Sequence, residues 1–363
     1  MTELDLKLDR IKDLLAKYGV NALLLQRSAS FAWATCGGSS YINTATDFGV
    51  GSLLITPTGR YLITNNIEAP RFEQEEHLAA QGWEFKLAPW YETNDAVAKL
   101  TRGLKLASDS AFPGAIDLGS DVAHLRADLL PEEGERFREA SRLCASAMDA
   151  AIRAIKPGLT EYEIAAVLNR ETQARGVLPS VCLIATDERI FNYRHPLPTD
   201  KKMDKYAMLV LCGRKYGLVC SLTRLVHFGA LPGELRRKME AIAQIDATFI
   251  TATRPGATCG EVFRQATDVY AATGFPTEWQ LHHQGGPAAY EPREWVATPT
   301  STEAVKVGQV YAWNPSITGA KSEDTILIGA SGNQILTHIP DWPLLPIEVG
   351  GQTVNRPAIL EVV

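Results

Sequence analysis

The sequence predicts an α+β protein of two domains, and three observations carry that expectation. Its 363 residues exceed the roughly 150 of one typical domain. Helix and strand patterns alternate through residues 1–128, and residues 129–363 read as two helices, a hairpin, two more helices and a strand-rich remainder. Neither a Gly-x-Gly-x-x-Gly nor a P-loop run is present, which removes the usual nucleotide-binding parallel sheets.

Each element has its own signal. Leu4, Leu8, Ile11, Leu14 and Leu15 recur at helical spacing, and Gly19 follows as a stop. Residues 20–26 (VNALLLQ) form a buried-strand pattern, and residues 51–64 (GSLLITPTGRYLIT) form two apolar runs around a Pro-Thr-Gly turn. A helix over 68–81, a strand at 83–89, a helix over 94–104 and a short strand at 104–108 complete the first domain. The polar stretch at 128–132 marks the boundary. Beyond it, residues 129–155 carry a long amphipathic pattern, and Thr160 with Glu163 forms a capping box for a helix ending at Gly176. MLVLCG and GLVCSLTRLVHFG read as a hairpin turning at 214–216, and helices over 231–253 and 254–274 follow. Strand and turn continue to Ala330, then a Pro-rich tail from Pro340 to Val363.

Composition excludes several functions. Lys plus Arg number 36 against 42 for Asp plus Glu, without a long run of either sign, so neither a nucleic-acid nor an anionic-membrane surface is expected. The longest apolar stretches, such as Ala207–Cys212 and Ile326–Ala330, fall far short of the roughly 18 residues of a membrane span. The opening residues lack the apolar core of a secretory signal, and the expected location is the cytoplasm. Six cysteines without a Cys-x-x-Cys pair fit reduced thiols better than disulfides or structural zinc.

Three segments hold candidate chemistry. LHHQGGPAAYEPREW (281–295) gathers His282, His283, Gly285, Gly286, Glu291, Arg293 and Glu294. Its glycines suit a backbone that approaches something closely, or a simple turn flanked by solvated charges. His195, before Pro196, sits on an extended segment or turn. Glu323 enters an apolar strand, where burial raises the proton affinity of a carboxylate unless a partner offsets it.

The order of these pieces resembles the pita-bread superfamily of creatinase, Xaa-Pro aminopeptidase, prolidase and methionine aminopeptidase, over nearly the full length. The resemblance implies a smaller creatinase-type α/β domain (1–128) followed by a pita-bread domain (129–363). In the peptidases of this superfamily two aspartates, a histidine and two glutamates hold two divalent metals, which generate a hydroxide nucleophile. Those positions fall here on Val210, Ser221, His282, Asn314 and Glu323. Three missing carboxylates imply that no metal pair and no other cofactor is used.

The site resembles metal-free creatinase more closely. His195 matches that enzyme's general acid/base. The family form His-x-x-Gly followed by Glu-x-Arg-Glu is reproduced by His282, Gly285, Glu291, Arg293 and Glu294. Arg293 looks like a partner of the substrate carboxylate, Glu323 like the last guanidinium contact, and Phe48 like the aromatic that a neighbouring subunit places over the substrate. Two departures weigh against creatine: Val50 replaces an arginine, and Thr223 replaces a second glutamate.

The expected function is therefore a metal-independent C–N hydrolase of a small carboxylate-bearing amide or amidino compound. His195 serves as proton shuttle, Glu323 positions substrate or water, and His282 donates to an oxyanion. Arg293, Phe48, Tyr290 and Glu291 bind substrate. A homodimer is implied, with the N-terminal domain closing the partner's site. The alternatives are a non-catalytic binding or regulatory protein, in which Arg293 and Glu323 form a relic ion pair, and a metal-dependent Xaa-Pro peptidase. His283 and Trp313 read as packing residues, and Cys220 faces either the pocket or the opposite side.

Overall fold

α1 (Glu3–Tyr18) begins at a capping box between Thr2 and Asp5 and ends on Gly19 at φ 60°. Its buried stripe is Ile11, Leu14 and Leu15. β1 (Ala22–Arg27), α2 (Ser28–Ala34), β2 (Phe48–Thr56), β3 (Gly59–Asn65), α3 (Ala69–Gln74), β4 (Glu84–Ala88), α4 (Ala96–Leu100), β5 (Leu106–Ser108), β6 (Ile116–Asp117) and α5 (Gly119–Ala127) follow. The strands form one mixed sheet in the order β4-β3-β2-β1-β5-β6, with the β2–β3 hairpin closing between Thr56 and Gly59. This computed structural model describes residues 1–363. The chain divides into two units, Met1–Glu132 with Tyr216–Leu218, and Glu133–Lys215 with Val219–Val363.

The helices expected over 68–81 and 94–104 are far shorter. α3 buries only Ala69 and Phe72 and α4 buries nothing, so packing cannot extend either one. α2 escapes the sequence pattern for the opposite reason, because all seven of its residues are buried and no polar face sets a period.

In the second unit α6 (Pro131–Ala154) and α7 (Glu161–Gln173) precede β7 (Leu178–Thr186), α8 (Glu188–Asn192), β8 (Tyr206–Lys215) and β9 (Leu218–Phe228). α9 (Gly233–Ala252) and α10 (Cys259–Ala272) precede β10 (Gly285–Ala288), β11 (Val310–Trp313), β12 (Ser316–Ile317), β13 (Ala320–Lys321), β14 (Asp324–Ile328) and β15 (Asn333–Ile335). Two helices followed by strands thus occur twice. α7 and α10 both start at capping boxes, Thr160 with Glu163 and Thr258 with Glu261. The Pro-rich tail forms strands: β16 (Leu344–Val349) pairs with β17 (Gln352–Pro357), and β18 (Leu360–Val362) runs parallel to β9. β7 also goes beyond the sequence reading, since Pro179 masks it and a bulge between Pro179 and Val181 accommodates the proline.

The two four-stranded sheets, β18-β9-β8-β7 and β10-β11-β14-β15, meet along β9 and β14. Thr223 N donates to Glu323 O (3.1 Å) and Val219 N to Ala289 O (2.8 Å). Beside this seam lies a buried group of two acids and two arginines. Arg356 Nε donates to Asp246 (2.9 Å), its Nη2 pairs with Asp324, and Arg224 Nη2 donates to Asp324 (2.8 Å). Burial pushes the Asp246 carboxyl up, with Arg356 opposing; for Asp324 burial acts the same way, but Arg224 and Arg356 together hold it below the usual range.

Replacing Arg356 by Met leaves two buried carboxylates with too few cations, and the expected loss is about 3–5 kcal/mol. A urea midpoint unchanged from the parent, at the same slope, would show that this quartet does not hold the unit together.

Candidate active site

His195 lies on the loop after α8, and that loop is tied down at both ends. Glu161 accepts from the N–H and hydroxyl of Thr186 (2.8 and 3.0 Å) and of Thr199 (3.0 and 2.8 Å), and pairs with Arg189. Arg194 donates to Glu278 (2.6 Å) and to Thr318 (3.0 Å), and Thr318 N also donates to Glu278 (2.9 Å). Glu278 opens the 3₁₀ turn that leads into His282, so one carboxylate fixes both histidine-bearing segments.

After that turn, β10 lies unusually close to its neighbours. A Cβ on Gly285, at φ 108°, would stand 2.1 Å from Ala312 O, and one on Gly286 would stand 2.4 Å from Trp295 O. The close approach that the glycine pair signals is therefore to backbone, and it sets His282 and His283 at the strand's entrance.

His282 Nε2 is 2.9 Å from His195 Nε2. At that separation one nitrogen carries a hydrogen and the other a lone pair, so the two rings share one proton. His283 stacks on His282 with centroids 4.4 Å apart, and ring nitrogens of all three histidines lie within 4.8 Å. All three are less basic than free imidazole. Burial and then Lys321 lower His195 and pull His282 down to about 2; burial and then Arg293 bring His283 to about 4.

Glu323 is the counterweight. Its carboxylate accepts from Arg293 Nη2 (3.0 Å), Lys321 Nζ (2.9 Å) and Thr223 Oγ1 (2.7 Å), all inside the fold. Burial alone raises such an acid, but Lys321 and Arg293 bring it down to about 2. Two cations against one anion leave this cluster with a formal excess of one positive charge. Arg293 Nη1 also donates to Ser221 Oγ (3.3 Å), and its Nε is buried without a partner. A void of about 10 Å³, the size of one water, lies beside His282 and Lys321.

The structure thus brings together His195, His282, Glu323 and Arg293. Other expected positions lie elsewhere or differ in detail. Val210 is buried in the apolar core; Cys212, two residues on and on the same strand face, meets Ser221 Oγ at 3.3 Å. The turn between β8 and β9 sets that register and so places Cys212 opposite Ser221. Burial pushes the Cys212 thiol up to about 11. Cys220 points away from the pocket toward the buried Cys144 thiol. Asn314 is buried with its side-chain oxygen unpartnered. Tyr290 is fully buried and donates to Glu133 (2.6 Å), which corrects its reading as a substrate contact. Glu291 is half-buried at the turn before Arg293, and Phe48 is exposed at the start of β2 in the first unit. Trp313 stacks on Phe249 (4.6 Å) in the core. Lys321 went unrecognised in the sequence, although its place two residues before Glu323 is the strand spacing that puts two side chains on one face.

The model of metallopeptidase family M24 matches residues 135–330. The chain belongs to this family. The prolidase of Pyrococcus horikoshii superposes with a TM-score of 0.79 at 20% identity, covering 92% of this chain and 98% of that one, and the fold is the pita-bread fold. An uncharacterized peptidase of Staphylococcus haemolyticus is 25% identical over 233 residues, 61% of this chain and 66% of its own length. The chain therefore spans just under two thirds of that relative. The agropine synthesis cyclase of Rhizobium rhizogenes is 25% identical over 309 residues, 70% of this chain and 75% of its own. In this M24 member, no helix is long and apolar enough to cross a membrane.

Glu323's lowered proton affinity has a stability consequence of defined sign. Its contribution is complete above the ordinary carboxylate value of 4.5 and is lost as pH falls toward about 2. In Lys321→Met the burial effect is less opposed, so the Glu323 carboxyl, followed by ¹³C NMR, should titrate well above its parent value. An unmoved titration would mean that Lys321 does not neutralise it.

Proposed function

We propose that this M24 protein is a metal-independent hydrolase of a C–N bond in a small compound bearing a carboxylate, and that creatine is not its substrate. One observation carries the reading: two cations, Arg293 and Lys321, converge on the single carboxylate of Glu323 beside a proton-sharing histidine pair. The metal pair that the family name implies does not fit these residues. Glu323 is already neutralised, the Cys212 thiol keeps its proton, and Ser221, Thr223 and Asn314 are uncharged. Positive charge on Arg293 and Lys321 further opposes divalent cations.

In the proposed reaction the substrate carboxylate docks on Arg293 and Lys321, partly displacing Glu323. Water adds through its oxygen to the amide or amidino carbon while His195, its Nε2–H held by His282 Nε2, takes the water proton at Nδ1. The C–N bond then breaks as that proton passes to the leaving nitrogen. The Lys321 ammonium donates to the developing charge. Thr223 occupies Glu323 from below and leaves no second carboxylate for a guanidinium, which supports exclusion of creatine. In the same proposal Phe48 closes the partner's site in a homodimer, and the protein acts in the cytoplasm, where its six free cysteines stay reduced.

A second reading rests on the three imidazoles within 4.8 Å, a donor set suited to one transition metal. Elemental analysis and a chelator separate the two. Turnover of N-acyl, N-carbamoyl or N-amidino amino acids is expected without added metal and unaffected by EDTA. One tightly held metal per chain with EDTA-sensitive turnover would replace the metal-free mechanism with the three-imidazole one. His195→Ala should lower the rate by about 10²- to 10⁴-fold with ligand binding retained. Because His195 is depressed below 6.5, activity should fall only at acid pH, with a midpoint beneath that value. A protein that binds these compounds but turns none over would be the non-catalytic alternative.

A further inference from the structure

The second unit also holds a cavity apart from the histidine pocket. A cavity of about 600 Å³ lies on the other side of β14, within the size range of small-molecule sites. Alternation along the strand explains the division: Glu323 faces the histidines, and the next residue, Asp324, lines this cavity. Arg224, Arg254 and Arg356 line it too, with His338 and Trp342, and Asp324 is the only acid among its lining residues. Asp324 and Asp246 are taken up by Arg224 and Arg356, whereas Arg254 is exposed and stands without an acidic partner.

Arg224 supplies the second, independent observation. It is 2% exposed, and its two terminal nitrogens donate to Thr223 O (2.8 Å), Glu323 O (3.3 Å), Asp324 Oδ1 (2.8 Å) and Thr337 O (2.9 Å). Its Nε has no partner, and a buried guanidinium N–H without an acceptor is rare in a folded protein. We infer that this cavity is a second binding site, for a small multivalent anion carrying carboxylate or phosphate groups, held by Arg254 at the mouth and Arg224 at the wall. Because Arg224 also grips the Glu323 carbonyl, an occupant here touches the same strand segment that carries the catalytic pocket's carboxylate.

The test must keep the two anion sites apart. Arg293→Gln removes the anchor of the histidine pocket, and citrate and inorganic pyrophosphate are titrated into that variant of the full chain by calorimetry. At least one probe should bind with a dissociation constant of about 1 mM or tighter, and adding Arg254→Gln, an exposed position, should weaken it at least about tenfold. Ser331→Trp, which places a bulky ring at the cavity rim, should do the same. Whichever of citrate or pyrophosphate binds better assigns the head group. The inference is overturned if Arg293→Gln binds neither probe, or if both additions leave binding unchanged.

Discussion

Everything in the second unit depends on two neighbouring acids, Glu323 and Asp324, being buried on opposite faces of one strand with two cations each. Arg293 and Lys321 neutralise the first, Arg224 and Arg356 the second. Burying an acid is costly, and only paired charge makes the arrangement stable. The seam between the two sheets runs through the same residues, since Thr223 bonds Glu323 through both backbone and side chain. Charge pairing, sheet joining and pocket formation are therefore one event.

The same pairing sets the polarity of the pocket in this M24 member. Two cations on one carboxylate leave an excess of charge. Here the excess is positive, because Lys321 stands where it can reach Glu323 and Arg293 turns inward from the loop after β10. Burial first, and then Lys321 for His282 and Arg293 for His283, disfavour the protonated imidazoles. A pocket of this polarity favours anions and holds the three imidazoles less basic than free histidine.

Much of the fold could be read from the chain, and the reasons differ by element. Long helices with one apolar stripe and a capping box, such as α7, announce themselves because the signal is local. α2 and β7 do not, the first being apolar all round and the second interrupted by Pro179. His195, His282, Arg293 and Glu323 could be named from motif and resemblance, and they do converge. Cys212 could not, since its facing Ser221 depends on the length of a turn. Whether Glu323 would be raised or lowered was equally open until its partners were known, because burial and pairing act in opposite directions and only geometry decides between them.

The pairing of Arg356 with Asp246 and Asp324, and of β18 with β9, gives the molecule an assembly order. Two of these contacts join residues more than a hundred positions apart: Arg356 reaches Asp246 110 residues away, and Leu360 pairs with Val226. Loops of that length close late, after local helices and hairpins have formed. During synthesis Asp246 of α9 thus emerges well before the arginine that balances it, whereas Asp324 of β14 already has Arg224 behind it. Until β17 arrives, Asp246 is best accommodated protonated or in water, and the sheet seam stays loose. The pocket should accordingly be among the last parts of the protein to become rigid on the ribosome, once the final hairpin docks.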